Sequence, residues 1–521
     1  MPFRVVDPDY EKQALEEIKK CLPPEGAPQP VVYQVCLPLL LHSAEEPLPC
    51  HEPASETTAI SAHVSARIHA FYEQLAAYYH AESPRMPEDE EAPGGGGVSI
   101  GICVRPQAFD GEDPYCGHRK YHSRRLQLHD PATLPDLPFV TSLTVESKPD
   151  YGGDGWESYG VRPLSPLVPL RCLARLPAVE ELTLPWMWER PMPCCMPSRV
   201  AREHYTRPWE GPLRDARHEF GAALLSPEEH LGGRPIPASL TRAALHFWTP
   251  RQIPEEDQAV PRPNLIAPAG KDPVSVGLRR LAAQLHVLDV RALITEDLFP
   301  PPGASTGEQW SQMRRLRIEF HPLRPDGRWY FVGPRGEDPH DSAEEGGFPI
   351  SDAEHYPREH DTEEDQDLDE EWEDDPNGGA EADRMPDLFR TQPCRERIEP
   401  LLAAFARALT HDRMPRLEDA EMFAFLWWHP SHRRAEEYGI DRESAIETDV
   451  HRWGVKYVAG RDGKGGDAAA PTVQWQVGDW RPSQEVLALF EALGQQEWLP
   501  LEPAKQRYHG DFTMSLKNKL F

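Results

Sequence analysis

The chain has 521 residues and a net charge of −31; at ~150 residues per domain this length predicts several domains or one elongated repeat architecture, and the charge is too acidic for a broad basic face that would bind DNA or RNA. Hydrophobic residues make up 39% of the chain and glycine adds 36 residues, near the ~45–50% apolar share of ordinary globular proteins, so a sizeable core can form. Proline, at 57 residues, is at about twice its usual ~5% share, which excludes long uninterrupted helical bundles and predicts many connections.

The N-terminus, MPFRVVDPDYEK, carries charges throughout and has no apolar core of signal-peptide type. The longest nearly apolar run, Val31 to Leu41, is broken by Gln34 and Pro38 and falls short of the ~20 residues that span a bilayer. The expected setting is intracellular, cytoplasm or nucleus, with no secretion, no transmembrane segment and no membrane partner. Nine cysteines at irregular spacing, with no CxxC among them, fit reduced thiols rather than a disulfide framework or a zinc ribbon.

In chain order, residues 9–22 read as a short amphipathic helix and 23–60 as Pro-rich and poorly periodic. Val64, Ile68, Phe71, Tyr72, Leu75, Tyr78 and Tyr79 recur at spacings of three and four, which predicts a helix over 61–81. Pro84, Pro87, Pro93 and the four glycines at 94–97 mark a linker. Val98, Ile100, Ile102 and Val104 then alternate as in a strand with one buried face.

From there a pattern returns. It reads LPDLPFVTSLTV at 134–145, LARLPAVEELTL at 173–184, LRRLAAQLHVLDV at 278–290, WSQMRRLRI at 310–318 and MPRLEDAEM at 414–422. Each copy places an apolar residue, a second one three positions on, and a third two further, as in Val179, Leu182 and Leu184. Several follow helix-compatible stretches such as Arg397 to Leu409. A strand preceded by a packing helix or turn cannot bury its apolar face alone, but stacked copies can. The anchors Leu143, Leu182, Leu288 and Leu316 lie 39, 106 and 28 residues apart, and a weaker copy near Leu245 and Phe247 splits the long gap. Met187, Lys148 and Leu293 stand where a repeat asparagine is expected. The expected fold class is therefore α/β: an irregular leucine-rich-repeat-like solenoid of stacked βα units, with long insertions and a disordered acidic loop.

Between Asp352 and Asp375, fourteen of 24 residues are acidic and only Arg358 is basic, a composition that predicts disorder. It reads either as a solvated loop or as a docking site for a basic protein. Farther on, Val455 to Val458 and Val473 to Val477 read as strands. Ser483 caps a helix over about 483–493, closing the stack. The expected organisation is an N-terminal helical region with a Pro-rich segment (1–82), a Gly/Pro linker (83–97), leucine-rich-repeat-like units (98–335), a disordered acidic insertion (336–386) and final repeat units with a C-terminal cap (387–521).

No phosphate loop, dinucleotide fingerprint, HExxH or GxSxG occurs in the sequence. The fragment from Gly460 to Gly466 lacks the spacing and reads as a hairpin loop. His429 and His432, and likewise His118, His122 and His129, have no third ligand at metal-site spacing. No catalytic, cofactor or metal residue is therefore nominated. The strand residues Glu181 and Thr183 alternate with Leu182 and Leu184, so they point away from the core. Trp186, Trp188, Trp427 and Trp428 follow two of the strands. They either cover the core of adjacent repeats or form an aromatic rim of binding hot spots.

The segments LARLPAVEELTLP (173–185), IEPLLAAFARALTHDRMPRLEDAEMFA (398–424) and VQWQVGDWRPSQEVLALFEALGQQEW (473–498) resemble the uncharacterised F-box and leucine-rich-repeat-like proteins of filamentous fungi. The resemblance implies a recognition surface made by the repeats and, where an F-box is present, docking to the adaptor of a cullin ubiquitin ligase. Here the nearest N-terminal text, Cys21, Leu22, Pro23, Pro24, Glu25 and Gly26, runs into Pro-rich sequence rather than a helix. The expected function is a non-enzymatic protein-binding scaffold, with a substrate-recognition role of ubiquitin-ligase type implied by the resemblance. The alternatives are an acidic escort acting through residues 352–375 and an enzyme without a recognisable motif.

Overall fold

The structure, a computed structural model, describes residues 3–6, 31–42, 49–82, 97–105, 117–120, 122–147, 162–187, 210–248, 257–303, 309–340, 346–350, 356–358, 367, 386–440, 449–460 and 470–501. The helix expected at 9–22, Trp188 and most of the acidic run lie outside these residues.

β1 (Phe3–Val6), β2 (Val31–Val35) and β3 (Leu39–His42) open the chain, with β1 and β3 paired antiparallel as a small ribbon. Valine and tyrosine suit a pleated, half-buried surface: on β2, Val31, Tyr33 and Val35 are buried while Val32 and Gln34 are exposed. α1 (Ala54–Glu82) follows. It begins before the expected residue 61 because its first turns carry Ser55, Thr57 and Thr58, which hide the apolar spacing. β4 (Val98–Val104), β5 (Val140–Ser147), α2 (Leu167–Leu173), β6 (Glu181–Leu184), α3 (Glu210–Leu225), α4 (Pro227–His230) and β7 (Arg242–His246) come next.

α5 (Pro273–Ala282) shows how local chemistry sets a helix. Asp272 accepts from the Ser275 N–H at 3.0 Å, Pro273 occupies the first turn, and Val274, Leu278 and Leu281 form the buried stripe. Gly221 and Gly277 let α3 and α5 pack closely, since a Cβ on Gly221 would stand 2.4 Å from the Pro273 carbonyl oxygen. The chain continues through β8 (Val287–Ala292), β9 (Arg315–Phe320), β10 (Phe331–Val332), β11 (Gln392–Pro393), α6 (Arg395–Ala408), β12 (Asp419–Trp428), α7 (His432–Tyr438), β13 (Asp449–Val458), β14 (Thr472–Gln476), α8 (Gln484–Glu491) and β15 (Gln495–Trp498).

Eleven strands form one sheet in the order β2-β4-β5-β6-β7-β8-β9-β12-β13-β14-β15. Neighbours from β2 to β12 are parallel, β13 runs antiparallel to both β12 and β14, and β15 returns parallel to β14. The order follows the sequence and never reverses. Crossovers between parallel strands are right-handed in nearly all cases, so an order of this kind places the connecting helices on one face. The fold is mixed α/β, with a large, mostly parallel sheet and eight helices among the described residues.

The apolar positions meet that helical layer. Leu143, Leu182, Ala243, Leu288, Leu316 and Ala420 are successive partners in one row across β5 to β12. With Tyr72, Leu170, Phe220, Leu278 and Leu401 from the helices, they belong to one continuous core. Five of these six row members lie within patterns expected from the sequence, and the sixth, Ala243, lies on the strand of the weak copy.

The structure departs from two of the expectations. Residues 31–35, inside the stretch read as Pro-rich and unpatterned, are the strand at one edge of the sheet, paired with β4. Parts of the insertion expected to be disordered pack onto the body: Asp338 pairs with Arg390 and Arg397, and Phe348 bridges to Pro263. Among the described residues no helix is long and apolar enough to cross a membrane.

Candidate binding face

Every residue that alternates with the core row points to the other face of the sheet. The pairings carry one line of side chains across all eleven strands: Val32, Gly101, Thr144, Thr183, Ala244, Asp289, Arg317, Glu421, Lys456, Gln474 and Glu497. The first five are small or neutral. The next four alternate in charge, as −, +, −, +.

Opposite charges on adjacent strands stabilise a sheet face, and here they form a continuous chain of ion pairs. Arg317 lies 3.4 Å from Asp289 and 3.0 Å from Glu421, and Arg452 lies 2.7 Å from the other oxygen of Glu421. One row further along, Arg291 lies 3.0 Å from Glu319, and His246 lies 3.5 Å from Asp289. Asp289 is 2% exposed, whereas Arg317 is 25% and Arg452 28% exposed, so solvent reaches the arginines and not the aspartate they neutralise. Burial opposes ionisation of Asp289, but His246, Arg317 and Arg291 together hold its carboxyl below the usual range. Burial and Arg291 press His246 down, against the pull of Asp289.

β12 adds aromatic packing beneath the charged half. Phe423 sits beneath both arginines, with the Arg452 guanidinium 3.9 Å and that of Arg317 4.9 Å from its ring centre. Phe425 meets Phe423 edge-on at 5.7 Å. The partner of Phe423 on β13 is Gly454. A Cβ there would stand 2.5 Å from both the Met422 carbonyl oxygen and the Phe423 Cβ, so glycine is what permits this close pairing.

Glu181 and Thr183 point to this face as the alternation implied. Glu181 lies 3.6 Å from Arg242, and Thr183 stands between Thr144 and Ala244. Trp427 continues the alternation of Glu421, Phe423 and Phe425, so it lies on the same face. Trp428 falls on the opposite side and meets Tyr438 at 5.7 Å. Thr183 and Trp427 are four strand steps apart, roughly 19 Å across the sheet at ~4.8 Å per step, and Trp427 lies a further ~20 Å along β12 from Glu421, the residue in register with Thr183. Trp186 is buried, at 7% exposure. Asp289, Arg317, Glu421, Phe423 and Arg452 were not singled out from the sequence. The available signal was the middle residue of each pattern: Thr183 between Leu182 and Leu184, Asp289 between Leu288 and Val290, Arg317 between Leu316 and Ile318.

A second polar cluster lies where the start of α1 meets residues 118–122 and 162. Glu52 accepts from Arg162 at 2.6 Å and contacts His122 Nδ1 at 2.9 Å, while Arg119 pairs with Glu56. Burial opposes ionisation of Glu52, yet Arg162 and His122 hold it well below the carboxylate range. Burial presses His122 down to about 4, with Arg162 adding to the effect. These contacts span as many as 110 residues of sequence, so they pin the first βα segment to the next two. Among the described residues no group of three metal-ligating side chains converges.

No protein-family model matches the chain, and no curated protein or solved structure matches it significantly.

Proposed function

We propose that the chain is a protein-binding scaffold, built as an irregular leucine-rich-repeat-like stack, that recognises its partner on the sheet face away from the helices. The observation that supports this most is the unbroken row from Val32 to Glu497, which aligns one position from each of eleven strands on one face of the sheet. The small half of the row allows a partner's backbone to approach closely. The charged half fixes orientation, since complementary charge contributes specificity and association rate more than raw affinity. Its ion pairs are already made, so little reorganisation accompanies binding. Thr183→Arg places bulk and charge in the small half. It is expected to abolish partner capture while leaving urea unfolding unchanged, and undiminished capture rejects this face. The family resemblance adds a substrate-receptor role, for which co-purification of a cullin-ligase adaptor is the test.

The fourteen carboxylates between Asp352 and Asp375 favour a second reading, in which a basic protein docks to the acidic run. Solvated charges are screened over ~10 Å at 0.1 M salt, so such binding should weaken steeply with salt and vanish on deletion of 352–375.

A further inference from the structure

The acidic insertion is fastened to the body at successive points. Asp338 pairs with Arg397 at the start of α6, His340 lies 2.8 Å from the Ala259 carbonyl oxygen, and the Phe348 N–H donates to the Arg262 carbonyl oxygen at 3.0 Å. The Tyr356 hydroxyl then donates to Asp215 on α3 at 3.1 Å. Between Asp338 and Tyr356 the chain thus passes from the helix before β12 back to the helix before β7.

Tyr356 lands at the rim of a cavity of about 180 Å³ that Ser61 of α1, Arg124, Arg125, and Asp215 and Glu219 of α3 also line. The cavity offers a phenol what it needs. The Arg124 guanidinium lies 4.5 Å from the Tyr356 ring centre, the geometry of a cation over an aromatic face, and Asp215 accepts at the hydroxyl end. Burial and Asp215 push the phenol up to about 12, so it remains a donor at neutral pH. Both recognition groups come from the body of the protein, and neither requires that the tyrosine belong to the same chain. Asp352, Glu354, Glu359 and Asp361 flank Tyr356 in sequence, and of the charged side chains lining the cavity Arg124 and Arg125 are positive and Asp215 and Glu219 negative.

We propose that the Arg124–Asp215 pair at the rim of this cavity is a docking seat for a tyrosine side chain carried on an acidic peptide. Tyr356 occupies it in cis, and a partner's tyrosine-bearing acidic segment takes the same seat and releases the insertion from α3. The proposal stands apart from the sheet face, which it does not use.

The test is fluorescence anisotropy with a labelled peptide of the chain's own residues 350–362, titrated with full-length protein. A seat vacant about one-tenth of the time shows about tenfold weaker apparent affinity than a vacant one. Tyr356→Ala should therefore bind the peptide at least about tenfold more tightly than the unaltered protein. Adding Arg124→Ala or Asp215→Leu, which removes the acceptor, to that variant should remove the gain, and a peptide with alanine at the tyrosine position should not bind. Tyr356→Phe, which keeps the ring and loses only the hydroxyl, should fall between the two and serves if the alanine variant does not fold. Equal binding by the unaltered protein and the folded variants, or binding by none of them, overturns the proposal.

Discussion

Arg317→Met tests the charged half of the sheet face. Methionine keeps much of the aliphatic stem packed over Phe423 and removes the guanidinium. What is left depends on the two partners. Glu421 retains Arg452 at 2.7 Å and loses little. Asp289, 2% exposed, loses its nearest arginine. Breaking a buried ion pair from one side costs about 3–5 kcal/mol. Arg317 is 25% exposed, and His246 and Arg291 remain beside Asp289, so the expected loss is about 2–3 kcal/mol. The sign of the pH dependence follows from Asp289, whose carboxyl is held below its ordinary value in the folded protein. Such a group contributes stability above its unfolded pKa, and that stability is lost as pH falls through the folded value. The deficit of the variant should therefore be largest at neutral pH and shrink toward acid. Adding Asp289→Asn should cost less than the sum of the single changes, by about 1–3 kcal/mol for directly contacting groups. Equilibrium urea unfolding followed by tryptophan fluorescence measures each term, provided the slope is unchanged. A loss below about 0.5 kcal/mol at pH 7, or strict additivity, refutes the reasoning.

Two further outcomes are expected. Trp186→Ala should cost about 3–5 kcal/mol of stability because the ring is buried, whereas Trp427→Ala should cost less than half of that and weaken partner capture; urea unfolding and capture of both variants separate the two roles. His122, pressed down to about 4, makes the unfolded chain the first to bind its proton. Stability should fall from about pH 6.5 to pH 4 by at most about 3 kcal/mol on this account. Glu52 extends the loss to lower pH, while Glu56, raised by burial, partly offsets it. His122→Gln should flatten the slope between pH 6.5 and 4 in urea unfolding, and an unchanged slope assigns the effect elsewhere.

The sheet was legible where its strands repeat one pattern. Spacing alone singles out Leu143, Leu182, Leu288 and Leu316 as anchors, and they are part of one row of the core. The pattern works because a strand buried against one helical layer shows its apolar residues at every second position. β2 is not legible because its five residues, within the seven between Pro30 and Pro38, give too short a period to stand out. Only the end of β13 was visible, since Gly454 interrupts its alternation at the position where Phe423 requires the space. The ion pairs were not legible at all: Glu52 and Arg162 lie 110 residues apart, and Arg317 and Glu421 lie 104 apart, so only the folded register brings them together. The tryptophans were grouped by sequence proximity to strand ends. The alternation of β12 places Trp427 and Trp428 on different faces, a distinction that proximity does not capture.

Site-specific photo-cross-linking tests the central claim most directly. A benzophenone side chain is placed at position 183, in the small half of the row, or at position 225, where Leu225 at the end of α3 is 49% exposed on the helical layer. Each full-length protein is irradiated in its own cells. A discrete cross-linked partner at position 183 and none at position 225 is the predicted result. Cross-linking at position 225 alone, or equal patterns at both positions, contradicts the assignment of the sheet face as the binding surface.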